Sequence, residues 1–348
     1  MQHFPCLALT GEPYEIGRSH GERLREAIHL QLREALGTVS PQAGMGRAQA
    51  LDWSAAQLAK IERLGGADWI AELEGLADGA RVSLAEAVAL QVRPGTGSMP
   101  EACTSVGIAC DASATGEALG GQNRDLVPGY RSRMALLSLR PRGKPALLMH
   151  SVPGEIGGVG MNSQGVAVFA NSVWARSGRN WQGAPITRRA ILECASAEEA
   201  AERVRTMDGP AVGSFLVIDR TGCIRNLEIL PQARALIARD RGVFVHTNHC
   251  LDRSLLPHEA EQTPAPGSPG RCARAQDLLE RAAGRIGVET LKEAFSDHAG
   301  RPEPICRHAA NPSAWETTSC LIADLGARAL HLSYGPPCEG RFATYHLG

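Results

Sequence analysis

Cys103-Thr104-Ser105-Val106-Gly107-Ile108-Ala109-Cys110, running on to Gly120-Gly121-Gln122-Asn123-Arg124-Asp125, is the stretch that decides the fold. Before it lies Arg93-Pro94-Gly95-Thr96-Gly97-Ser98-Met99-Pro100-Glu101-Ala102, whose prolines and glycines are those of an exposed, non-helical loop. At Cys103 the composition changes to small and β-branched residues, which predicts a strand. A thiol at the head of a strand is pinned by the sheet yet open to solvent. The plain alternative is a small core hydrophobe, since free cysteine is commonly buried. The strand folds back as a hairpin whose end, Asp125, returns near Cys103. A carboxylate there can hydrogen-bond an amine or hold a nearby donor; a simple strand-end turn is the alternative.

Upstream, Ile16, His20, Leu24, Ile28, Leu32 and Leu36 recur every four residues and predict one helix face. Thr10 or Gly11 with Pro13 starts it. Further helices are expected around 47–64 and 67–91, with Trp69, Leu73, Leu76 and Ala80 on one stripe. Downstream the period becomes two. Strands are expected near 103–110, 117–123, 133–140 and 145–151, then hairpins at 159–168 and 215–229. A third hairpin is expected from 233–238 and 242–246, and a last one at 319–333. Helices are expected at 185–207 and 271–298. Antiparallel pairs with helices between them predict a four-layer α/β/β/α sandwich, two antiparallel sheets flanked by helices. The absence of βαβ alternation argues against Rossmann and barrel folds.

Val245-His246-Thr247-Asn248-His249-Cys250 closes a strand and enters a loop. The Asn248 amide suits a developing oxyanion, although Asn248 and Thr247 equally suit a local turn. His246, His249 and Cys250 match no familiar zinc spacing. Arg307, in Ile305-Cys306-Arg307-His308, suits bidentate capture of a substrate carboxylate or is a plain surface charge. Ser214 opens another strand and alone says little. Gly154 to Gly160 lacks the helix start of a dinucleotide site.

A 43% hydrophobic and 21% charged chain of 348 residues is that of a soluble globular protein. The net charge of −1 gives no field for nucleic acid or an anionic membrane. Only Lys60, Lys144 and Lys292 are lysines, the bias of a GC-rich, bacterial genome. No leader, no membrane-spanning run and ten scattered cysteines predict a reduced, cytoplasmic protein.

The ordered set Gly11 to Gly17 with His20-Gly21, Cys103-Thr104, Gly121 to Asp125, Val159 to Ala167, Val245 to Cys250 and Ile305-Cys306-Arg307 resembles the isopenicillin N acyltransferase family. These are autoproteolytic acyltransferases and amidohydrolases among the N-terminal-nucleophile (Ntn) hydrolases. The resemblance implies a single domain over 1–348 that cuts itself between Ala102 and Cys103. The products are a helical small chain, 1–102, and a catalytic large chain, 103–348, which stay associated. It also implies Cys103 as nucleophile, Asn248 as oxyanion donor and Asp125 near the new amino group. Arg307 and Ser214 fall on matching stretches as substrate-binding candidates. No cofactor and no metal are implied. The expected substrate is a small N-acyl amide, hydrolysed through a thioester at Cys103, or an acyl thioester whose acyl group moves to an amine. Arg124 and Ala102 depart from the family's penicillin-forming pattern, which bears on the β-lactam substrate and not on the chemistry. Two rival expectations are a thiol enzyme with His246 or His249 as base and no self-cleavage, and a binding protein that has kept the fold.

Overall fold

The stripe from Ile16 to Leu36 forms two helices, α1 (Pro13–Arg23) and α2 (Arg25–Gly37), because the chain leaves helical geometry at Leu24 (φ −118°). Pro13 opens α1, where its missing N–H costs nothing. The protein is described by a computed structural model covering residues 3–37, 46–94, 102–176, 183–261, 265, 267–300 and 302–348. Most of the expected loop before Cys103, residues 95–101, lies outside the described residues. Next come α3 (Arg47–Ala55), α4 (Leu58–Ala80) and α5 (Leu84–Val92). Helix α4 is interrupted at Gly66, whose φ of +71° suits glycine. Trp69, Leu73, Leu76 and Ala80 are all buried, as their stripe predicts.

Helices α1 and α4 touch backbone to backbone. A Cβ at Gly17 would lie 1.9 Å from the Glu72 carbonyl oxygen, and one at Gly75 would lie 2.0 Å from that of Tyr14. No other residue type fits that seam.

One sheet has eight strands in the order β1 (Cys6–Gly11), β4 (Ala135–Pro141), β5 (Leu147–Ser151), β6 (Val159–Asn162), β7 (Val166–Asn171), β8 (Gly213–Asp219), β9 (Ile224–Ile229) and β10 (Arg234–Arg239). The other has six: β11 (Val243–His246), β2 (Ala102–Ile108), β3 (Leu119–Leu126), β12 (Glu316–Asp324), β13 (Ala329–Tyr334) and β14 (Phe342–His346). The sheets face each other through Phe169, Leu216, Ile218 and Ile224, which pack over Gly107 and Gly120. Helices α6 (Ala184–Leu192) and α7 (Ala197–Thr206) cover the larger sheet. Helices α8 (Ser268–Glu280) and α9 (Val288–Phe295) cover the smaller one, with Leu279, Leu291 and Phe295 against Val106, Ile108 and Ile322. The expected αββα sandwich is therefore present.

Other details differ from the sequence expectation, beginning with the helices expected over 47–64 and 67–91, which are three. Strands β10 and β11 are not a hairpin: β10 pairs with β9, and β11 crosses to the other sheet and pairs with β2. The larger sheet is not wholly antiparallel, because β1 runs parallel to β4. Strands β1 and β14 were not expected. The helix expected over 185–207 is two, separated at the Ser196 cap.

Candidate active site

Cys103 is the second residue of β2, which lies between β11 and β3. In the β2–β3 ladder Ala102 faces Asp125 and Cys103 faces Arg124. Directly opposed residues share a face. The same alternation sets Cys103, Ser105 and Gly107 toward the inter-sheet interior, and Thr104 and Asp125 toward α8. Cys103 is fully buried, not open to solvent as its place at the head of a strand suggests, because its side chain turns in between the two sheets.

The backbone of Cys103 is the centre of a buried network. Its N–H donates to Asn248 Oδ1 at 3.0 Å. Its carbonyl oxygen accepts from Arg271 Nη1 at 2.7 Å. Arg271 also donates to Thr104 Oγ1 at 3.0 Å and, through Nη2, to Asn248 Oδ1 at 2.8 Å. The Asn248 amide nitrogen donates to the Ser172 carbonyl at 3.0 Å. Two donors on one oxygen fix which way this amide points. Asn248 thus meets Cys103 with its acceptor end, whereas the sequence expectation used its donor end. Burial pushes the Arg271 guanidinium down, and Asp125 opposes that shift.

Asp125 Oδ1 accepts from Thr317 Oγ1 at 2.7 Å, and its Oδ2 lies 3.2 Å from Arg307 Nε. Arg307 is held again by an ion pair with Glu303 and by backbone bonds to Thr317. Arg307 lines a cavity of about 320 Å³ together with Glu303, His308 and Trp315. Cys103 and Asn248 thus share one hydrogen-bonded set with Arg271, and Asp125 with Arg307 forms a second set beside it across the β2–β3 ladder. Ser214 lies apart from that cavity: buried on β8, it donates to Asn226 Oδ1 at 2.9 Å and faces Glu228 across the ladder.

His246, His249 and Cys250 do not converge. His246 turns Nδ1 to the Thr247 carbonyl and Nε2 to Glu228 Oε1, both at 2.8 Å. With both ring nitrogens on acceptors, no lone pair is aimed at Cys103. His249 Nδ1 meets Ser268 Oγ at 2.7 Å, and burial lowers its pKa to about 4. The Cys250 N–H donates to Glu259. Arg271 is the residue that sequence reasoning missed. Its one signal is an unusual placement: a cation near the N-terminal end of α8, where the helix dipole disfavours it.

Solved structures with this fold include a variant of conjugated bile acid hydrolase from Clostridium perfringens, with a TM-score of 0.51 at 12% identity over 70% of this chain and 92% of that one. A second mutant of the same hydrolase gives 0.50 at 10% identity, covering 70% and 92%. The fold is that of an Ntn hydrolase. The model of the acyl-coenzyme A:6-aminopenicillanic acid acyl-transferase family matches residues 113–337, and the chain belongs to that family. The acyl-coenzyme A:6-aminopenicillanic-acid-acyltransferase 40 kDa form of Emericella nidulans is 29% identical over 97% of this chain and 93% of its own length.

Proposed function

We propose that the chain is a self-processing cysteine amidohydrolase that cleaves small N-acyl amides through a thioester at Cys103. The observation that carries this reading is the convergence of Asn248 and Arg271 on the nitrogen and carbonyl oxygen of Cys103 itself. In maturation the Cys103 thiol attacks the Ala102 carbonyl carbon, the Ala102–Cys103 C–N bond breaks, and the nitrogen takes the thiol proton. Water then hydrolyses the thioester, leaving an Ala102 carboxylate and a free α-amine on Cys103. An α-amine has a pKa of roughly 7.7–8.0, so it serves as base at neutral pH. Thiol and base then belong to one residue. Asn248 Oδ1 keeps that nitrogen in place, Asp125 stands across the ladder from the cut, and Arg271 neutralises charge at the buried centre.

Catalysis repeats the chemistry on substrate: the acyl group moves to Cys103 sulfur, the amine leaves with a proton, and water releases the acid. Arg124, directly across from Cys103 on the same face, adds positive charge beside the thiol and favours amides of amino acids. Arg307 is the proposed anchor for a substrate carboxylate, and Ser214 with Asn226 shapes the inter-sheet wall. Transfer to an amine is the second reading, favoured by the acyltransferase relative.

Intact mass is the test. The purified protein should contain chains of 102 and 246 residues, the second beginning at Cys103, and Cys103→Ala should remain one inactive chain. A fully active uncut chain sinks self-processing. Product partitioning with an N-acyl donor and rising amine separates the two readings: free acid supports hydrolysis. Amide formed rapidly from an acyl thioester, with no acid, supports transfer.

A further inference from the structure

His298, Cys306, His308 and Cys338 arrive from three places: the loop after α9, the segment before β12, and the turn between β13 and β14. Their donor atoms all lie within 4.8 Å of one another. The two sulfurs are 3.7 Å apart. The two imidazole Nε2 atoms are 3.1 Å apart. His308 Nε2 lies 3.2 Å from Cys338 Sγ and 3.9 Å from Cys306 Sγ.

A tetrahedral zinc ion, with bonds of about 2.3 Å to sulfur and about 2.0–2.1 Å to nitrogen, needs ligand pairs separated by about 3.8 Å (S···S), about 3.3 Å (N···N) and about 3.6 Å (S···N). The S···S and N···N separations here fall about 0.1–0.2 Å short of those values, and the two S···N separations lie on either side of theirs. The sulfurs are far beyond the roughly 2.05 Å of a disulfide, and both cysteines are free. Two thiols and two imidazoles converging on one point are the donor set of a closed zinc site.

We propose that these four side chains bind one zinc ion in a Cys2His2 site. Two thiol protons pass to solvent as the ion binds, leaving two thiolates and two neutral imidazoles around it. With four protein ligands the ion has no open position, so its role is structural. Cys306 and His308 flank Arg307 in sequence, so the ion ties down both sides of the residue that pairs with Asp125. The site does not depend on whether the enzyme hydrolyses or transfers.

The test uses the full chain, reduced, stripped with a chelator and titrated with zinc alone against a chromophoric chelator. One equivalent should bind. Cobalt in place of zinc should show tetrahedral d–d bands and a thiolate charge-transfer band. The double variant His298→Ala/Cys338→Ser alters a half-buried and an exposed residue, so folding, checked by circular dichroism, should persist. Its affinity should fall by more than the roughly 10–100-fold that follows loss of an outer-shell partner. The proposal is overturned by no stoichiometric binding, by unchanged affinity in the folded double variant, by a cobalt spectrum without thiolate character, or by a Cys306–Cys338 disulfide that persists in the reduced chain.

Discussion

Asn248 accepts two hydrogen bonds on one oxygen, from the Cys103 N–H and from Arg271. Asn248→Ala leaves both buried donors without that acceptor, a penalty of about 1–3 kcal/mol for each. Turnover should fall by about 5–150-fold, the rate equivalent of one such penalty of about 1–3 kcal/mol. Asn248→Asp keeps the acceptor and should retain more self-processing than the Ala variant. Intact mass over time checks this, and equal processing in both would show that the acceptor is not what matters. Cys103, Asp125 and Asn248 were legible because each sits where a strand meets a loop, a place visible in composition. Arg271 was not, because its one local mark, a cation near a helix start, is shared by Arg25 and Arg47. Its partners are 23 and 168 residues away in sequence. The His298, Cys306, His308 and Cys338 group is hidden for the same reason: only Cys306 and His308 lie close in sequence.

At the scale of elements, α1 and α4 meet backbone against backbone. Gly75→Ala would set a methyl against the Tyr14 carbonyl, with backbone on both sides and no side chain to yield. The helices must part, at a cost of about 1–3 kcal/mol, read as a lower melting temperature. The same helix α1 carries His20, whose Nε2 accepts from the Gly154 N–H at 3.1 Å and whose pKa burial lowers to about 4. The unfolded chain therefore binds a proton at His20 that the folded chain refuses. Stability is full above about pH 6.5, falls as pH drops toward 4, and loses about 3 kcal/mol across that window. His20→Gln should flatten this part of the acid unfolding profile; an unchanged slope would exclude His20 as its source. Element types were mostly legible from period-two and period-four patterns. Partners were not. The Asp240-Arg241-Gly242 stretch looks like a hairpin turn, yet the chain uses it to change sheets, and nothing local distinguishes the two outcomes. Strand β14 lacks a regular alternation of buried and exposed residues, so its sequence carries little periodic signal.

For the whole molecule, residues before Cys103 are not an appendage. They supply β1, paired with β4 in the larger sheet, and a core in which Ile28, Trp69 and Leu90 cluster with Ile156, Ile186 and Ala190 from beyond Cys103. A cut at Ala102–Cys103 should thus leave two segments that co-elute under native conditions and part only in denaturant. Separation on a native column would contradict this. Among the described residues no helix is long and apolar enough to cross a membrane.

The place of β2 has one further consequence. Chain ends usually fray because nothing holds them on either side. A terminus made by cutting β2 would be born paired to β3 on one side and bonded on the other to Asn248, just past the end of β11. Its rotational freedom is surrendered when the chain folds, long before any substrate arrives. Each turnover then begins with the attacking group already fixed in position, and the ordering cost that an intramolecular reaction saves has been met by the folding of the whole chain.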